Sequence, residues 1–147
     1  MLLCGTLTAC GGGDDSTADA SAVTNMSYMF WGGEAKQILL GSMDPSHVTT
    51  MVGMFNSCRK LETLDLSGMD ATNFFDLSMM FDHCESLKEI IVSDQWKLYD
   101  MSKTYEPFTG CVNLVGGNGT KYDEANNSAE YARIDTPDTP GYLTAAS

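Results

Sequence analysis

The chain has 147 residues and a formal net charge of −12, from 20 acidic against 8 basic side chains. That length suits one domain, and that charge excludes nucleic acid and anionic lipid surfaces as partners, because both are gripped by basic side chains. A hydrophobic content of 43% is too high for a disordered chain, yet no apolar run approaches the ~18 residues of a membrane span.

The opening residues read as a processing signal. Leu7-Thr8-Ala9-Cys10 resembles a bacterial lipobox, in which the signal peptidase cuts before the Cys and the thiol carries diacylglycerol. Residues 1–9 are then a lipoprotein signal remnant. Residues 10–21, opening Cys10-Gly11-Gly12-Gly13-Asp14-Asp15, suit a flexible tether. No Lys or Arg precedes Cys10, so the start codon lies upstream or the signal is truncated.

From residue 22 the chain repeats itself. Met26-Ser27-Tyr28-Met29-Phe30, Met51-Val52-Gly53-Met54-Phe55, Leu77-Ser78-Met79-Met80-Phe81 and the degenerate Thr104-Tyr105-Glu106-Pro107-Phe108 align. Cys58, Cys84 and Cys111 follow the last three, spaced by 26 and 27 residues. Such a period lies within that of leucine-rich repeats. In each unit the apolar residues first fall at i, i+3, i+4 and i+7, as in Met51, Met54, Phe55 and Cys58, or Leu77, Met80, Phe81 and Cys84. This spacing predicts a short helix of about two turns, with Thr50 and Asp76 as caps. The period then changes to two: Ile38-x-Leu40, Leu64-x-Leu66 and Ile90-x-Val92 predict short strands with one face inward. Leu61, Leu87 and Leu114 link the two halves.

A single unit cannot bury its apolar face alone, whereas stacked units can. The expected fold is therefore α/β: a short leucine-rich-repeat-like solenoid over residues 22–117, each coil a short helix plus a short parallel strand, with a C-terminal cap at 118–147. Gly33 and Lys36 replace the Cys and linking Leu in the first coil, which makes it the polar end.

The pattern Val-Thr-x-Met-Ser-x-Met-Phe-x-x-Cys-x-x-Leu-x-x-Leu-Asp-Leu-Ser resembles the unit of BspA-like leucine-rich-repeat surface lipoproteins. It appears here as Val23-Thr24-Asn25-Met26-Ser27-Tyr28-Met29-Phe30 and as Cys58-Arg59-Lys60-Leu61-Glu62-Thr63-Leu64-Asp65-Leu66-Ser67. Residues 114–120 and 131–135 resemble that family's C-terminal module, so the likeness covers residues 22–147. The resemblance implies surface display and, in some members, adhesion to host proteins. It implies no catalytic residue. The low copy number is a departure, since large binding surfaces need longer arrays.

Other constellations favour no chemistry. Zinc sites want Cys or His at short paired spacings, whereas here one Cys recurs per coil, which predicts a ladder of buried thiols. Parallel side chains ~4.8 Å apart sit too far for disulfides, whose Cβ atoms are ~3.8 Å apart. His47 and His83 are expected at the surface, and no cofactor or metal is called for. The remaining candidate is the outward strand face: Glu62, Thr63, Asp65, Lys88, Glu89 and Ile91, with Trp96 and Tyr99 either exposed apolar contacts or packed against the loop or cap. The functional expectation is a non-enzymatic module, lipid-anchored through Cys10 at the bacterial surface, that binds an extracellular or host-surface protein. The alternative is a display element, or a fragment of a longer array, with no dedicated ligand.

Overall fold

The computed structural model describes residues 2–3, 23–40, 46–69, 76–97 and 102–147. Cys10, the tether and Tyr99 lie outside them. The described chain is sheet-rich. Strands β1 (Leu2–Leu3), β2 (Gln37–Leu39), β3 (Thr63–Leu66), β4 (Glu89–Val92) and β5 (Thr144–Ala145) lie in that order, each parallel to the next. The register follows the sequence repeat: Ile38 pairs with Leu64 and Leu64 with Ile90. Alternation does the rest. Leu64, Leu66, Ile90 and Val92 are fully buried, and their neighbours face outward. Leu2–Leu3, expected within the signal remnant, extends the sheet beyond β2.

The predicted helices are not helices. The segments 27–32, 52–57 and 78–83 are pairs of consecutive turns. Each holds two residues at positive φ four apart: Tyr28 and Gly32, Gly53 and Ser57, Met79 and His83, then Glu106 and Gly110. A left-handed residue every fourth position cannot propagate an α-helix. Within each double turn the amides alternate between two destinations. Met54, Asn56 and Cys58 donate to the carbonyls three residues back, of Met51, Gly53 and Phe55. Met51, Gly53, Phe55 and Ser57 donate instead to the next unit, at Asp76, Ser78, Met80 and Asp82. Met26, Tyr28, Phe30 and Gly32 reach Thr50, Val52, Met54 and Asn56 in the same way, at 2.9–3.0 Å. Met79, Phe81 and His83 reach Tyr105, Pro107 and Thr109. Two turns of four residues present the same inward positions as two turns of helix, so the periodicity was correct and its cause was different. The expected cap Asp76 does accept the Ser78 amide at 2.9 Å, in a turn rather than at a helix start.

Three side-chain rows run through the core. Phe30, Phe55, Phe81 and Phe108 stack nearly parallel, with centroids 5.4, 6.0 and 5.4 Å apart. Cys58, Cys84 and Cys111 are free and buried, and Leu61, Leu87 and Leu114 are buried beside them. Each thiol also donates to a carbonyl of the preceding unit: Cys58 to Phe30, Cys84 to Phe55 and Cys111 to Phe81, at 3.0–3.1 Å. The thiol therefore does more than fill space. It gives these Phe carbonyls, each already accepting an amide three residues on, a second donor.

Residues 118–147 cover the last double turn. Tyr142 is fully buried against Phe108, and β5 adds to β4. The amides of Phe108 and Gly110, which have no next unit to reach, donate to Asn127 Oδ1 at 3.0 Å and the Tyr122 hydroxyl at 3.2 Å. Two side chains thus stand where backbone carbonyls stand elsewhere. Asp135 fastens this segment, its carboxylate accepting from the amides of Asn118, Thr120 and Gly141 and from the Thr120 hydroxyl.

Candidate functional site

The outward strand face is built by register. Gln37, Thr63 and Glu89 form one row across β2, β3 and β4, and Asp65, Ile91 and Thr144 form the next across β3, β4 and β5. Just before the strands stand Lys36, Glu62 and Lys88. The Glu62 carboxylate lies between the two ammonium groups, 3.3 Å from Lys36 and 2.8 Å from Lys88. Hydrogen bonding by Lys88, and then by Lys36, lowers its pKa. Arg59 pairs with Glu85 and Lys60 with Glu34 on the same 26-residue step. Charges of opposite sign therefore alternate between neighbouring units. Thr63, Asp65, Glu89 and Ile91 are half-buried, and Lys88 is exposed. Asp65 also accepts the Ser67 amide at 2.9 Å, which steadies the turn after β3.

Trp96 does not belong to this face. The turn after β4, closed by the Trp96 amide on Ser93, directs the ring inward. It is 6% exposed, and its indole N–H donates to the Ala132 carbonyl at 3.2 Å. Trp96 fastens residues 118–147 to the sheet and offers nothing to a ligand. Among the described residues the exposed large apolar side chains are Tyr28, Trp31, Tyr105 and Val112. Of these, Tyr28, Trp31 and Tyr105 neighbour or occupy positive-φ positions, a signal that the helical reading concealed.

His47 is exposed, 3.0 Å from Ser46 Oγ, and His83 is exposed beside Asp82. Among the described residues no group of three His, Cys, Asp or Glu side chains is placed to hold a metal ion. Burial raises the pKa of all three described thiols, so they stay protonated donors. An open groove of about 660 Å³ lies between the fourth double turn and the C-terminal segment, lined by Tyr105, Glu106, Glu124, Asn127 and Glu130 among others. No helix among the described residues is long and apolar enough to cross a membrane.

The family described as "Mycoplasma protein of unknown function, DUF285" matches residues 10–117, close to three quarters of the chain. The chain belongs to this family. The DUF285 match takes in every double turn and the strands β2, β3 and β4, and it ends where the C-terminal segment begins. No curated protein and no solved structure matches the chain.

Proposed function

We propose that this DUF285 chain is a short leucine-rich-repeat-like solenoid, lipid-anchored at the bacterial surface through Cys10, whose outward strand face binds an extracellular or host-surface protein without catalysis. The observation that carries the reading is the in-register outward rows, Gln37–Thr63–Glu89 and Asp65–Ile91, on a parallel sheet whose other side buries Ile38, Leu64, Leu66, Ile90 and Val92. Such a face offers a ligand regularly spaced polar groups around a half-buried Ile91. The resemblance to BspA-like surface lipoproteins supports the same reading.

The test is a binding screen of residues 22–147 against extracellular-matrix and cell-surface proteins, with Ile91→Asp and Glu89→Lys beside the parent. A partner bound by the parent and lost by both variants is the expected result. Partners bound equally by all three would sink the strand-face assignment. Radioactive palmitate incorporation, abolished in Cys10→Ala, is the expected result for the anchor.

A second reading, a display element cut from a longer array, is favoured by one observation. Leu2–Leu3 pairs in register with β2, although both residues precede the proposed cleavage point. The mass of the mature N-terminus separates the two readings, because cleavage before Cys10 removes β1.

A further inference from the structure

All 8 Lys and Arg side chains of the chain lie among the described residues, so the reach of each can be followed. On the repeats they meet acids: Lys60 meets Glu34, Lys36 and Lys88 meet Glu62, and Arg59 meets Glu85. Arg133 lies over the Tyr131 ring and donates to the Pro140 carbonyl. None of the 8 pairs with Glu106, Glu124 or Glu130, the three carboxylates around the groove between the fourth double turn and the C-terminal segment. The segments outside the described residues contain no Lys or Arg, so no basic side chain of this chain fills that groove.

The groove has two walls, and both are fastened. One is residues 104–106, where the Tyr105 ring is 64% exposed. Its hydroxyl donates to the Glu106 carboxylate, which raises the Tyr105 pKa and keeps ring and carboxylate side by side. The other wall is two short 3₁₀ turns, Glu124–Asn126 and Ala129–Tyr131, which present Glu124 and Glu130 together with Ala125 and Ala129. Asn127, between these turns, is tied to the Phe108 amide and to Thr109 Oγ1. The Tyr122 hydroxyl orients Glu124 by donating to its Oε2 at 2.7 Å. The space of about 660 Å³ falls within the roughly 300–1,000 Å³ of small-ligand sites.

The lining selects the occupant. An anion is repelled, and a purely apolar group would desolvate three carboxylates with nothing in return. A second copy of the chain does not qualify, because each copy carries −12 and its arginines, Arg59 and Arg133, are already engaged. A guanidinium is planar, stacks on an aromatic face and forks toward carboxylates, whereas an ammonium is a compact, strongly hydrated charge. The methyl groups of Ala125 and Ala129 suit the aliphatic stem behind it. We propose that this groove docks an arginine side chain carried on a basic segment of another protein, with the guanidinium between the Tyr105 ring and the carboxylates of Glu106, Glu124 and Glu130. The site stands apart from the outward strand face and does not rest on that reading.

The experiment is an amide NMR titration of the full chain with N-acetyl-arginine amide, its lysine counterpart and the uncharged citrulline counterpart. Tyr105→Ala and Glu130→Gln are run beside the parent. Both residues are exposed, so both variants should fold, and unmoved Phe55 and Phe81 amides report that they do. The expected result is saturable movement at residues 104–106 and 124–130 with arginine, and none with citrulline. Binding should weaken about threefold for lysine and about threefold in each variant, the scale of one exposed charge or ring contact. Added salt should weaken it further. Arginine shifts that spread over the acidic surface without saturating, or that persist unchanged in the folded variants, overturn the groove. Lysine bound as tightly as arginine overturns the guanidinium assignment. Movement at Thr63, Asp65, Glu89 and Ile91 instead would transfer the arginine to the strand face and leave the groove without a ligand.

Discussion

Tyr142 stands edge-on to Phe108, with ring centroids 5.2 Å apart and planes at 84°, and closes a row in which every earlier ring lies flat on its neighbour. The perpendicular ring sets its positive edge against the face of Phe108 and stacks its own face on Tyr131, 4.9 Å away, so the parallel row ends there. Its hydroxyl turns to the backbone of residues 123–126, accepting from the Asp123 amide and donating to the Asn126 carbonyl. The end of the aromatic row is therefore also the anchor of the covering segment.

Phe81 lies mid-row, with Phe55 above and Phe108 below. Phe81→Ala is expected to cost about 3–5 kcal/mol through lost burial and the cavity left behind. Since domains of this kind hold only about 5–15 kcal/mol, thermal melts should show a large loss. Trp31, 65% exposed, is the contrast: Trp31→Ala should stay within about 0.5 kcal/mol of the parent. The opposite ranking would reverse the inward and outward assignment.

Asn127→Ala removes the acceptor for the Phe108 amide and the donor to Thr109 Oγ1. An orphaned buried amide costs about 1–3 kcal/mol. Hydrogen exchange should quicken at Phe108 and leave Phe55 unchanged, because the damage is confined to the last unit. Uniform acceleration along the chain would argue against a local capping role.

Burial alone would raise the Asp135 pKa, but donors from Thr120, Gly141 and Asn118 together outweigh it and hold the carboxyl below the ordinary aspartate range. The folded state then binds fewer protons than the unfolded state. This stabilisation is complete above the unfolded pKa, ordinarily 3.8, and is lost as pH falls below it and through the lower folded pKa. Urea midpoints measured across that range should fall less steeply in Asp135→Asn than in the parent. Equal slopes would remove Asp135 from the acid response.

Gly141 leaves no room for a side chain, since an added Cβ would stand 2.2 Å from the Arg133 carbonyl oxygen. Gly141→Ala should cost about 1–3 kcal/mol by overpacking against backbone that cannot swing aside. Gly119 has φ +96° and open space around it, so Gly119→Ala carries backbone strain alone, roughly 1–2 kcal/mol. Denaturant melts of the two variants rank the effects.

With native protein, thiol reagents should label Cys58, Cys84 and Cys111 slowly, because all three are buried and protonated. On partial denaturation Cys58 should react first, since it donates to the first unit, whose Phe30 is only half-buried. Rapid native labelling of all three would contradict the ladder.

The strands were legible because period-two alternation and a fixed 26-residue step specify both face and register, as Ile38, Leu64 and Ile90 show. The double turns were legible only as an inward pattern. Met51, Met54, Phe55 and Cys58 are all buried as expected, but a spacing of three and four cannot separate a helix from two successive turns. The clue lay in Gly32, Gly53 and Gly110, recurring at positive-φ positions, and in segments too short for a stable helix. Of the two readings open for Trp96, packing against the cap holds and the contact reading fails; its partner, the Ala132 carbonyl, is 36 residues away and no local pattern announces it. The same distance hid Asn127 and Tyr122, which act on Phe108 and Gly110.

The inter-unit amides of the double turns all aim toward the C-terminal neighbour, and their peptide dipoles therefore add. The positive pole of this array lies at its C-terminal end, the reverse of an α-helix running the same way. Glu106, Glu124 and Glu130 gather around the groove at that pole, and the Tyr122 hydroxyl donates to Glu124 at 2.7 Å while accepting the last of the aligned amides. An acidic chain thus keeps part of its negative charge where its own backbone field compensates it. High salt, by screening that field, should loosen the C-terminal segment before it disturbs the sheet.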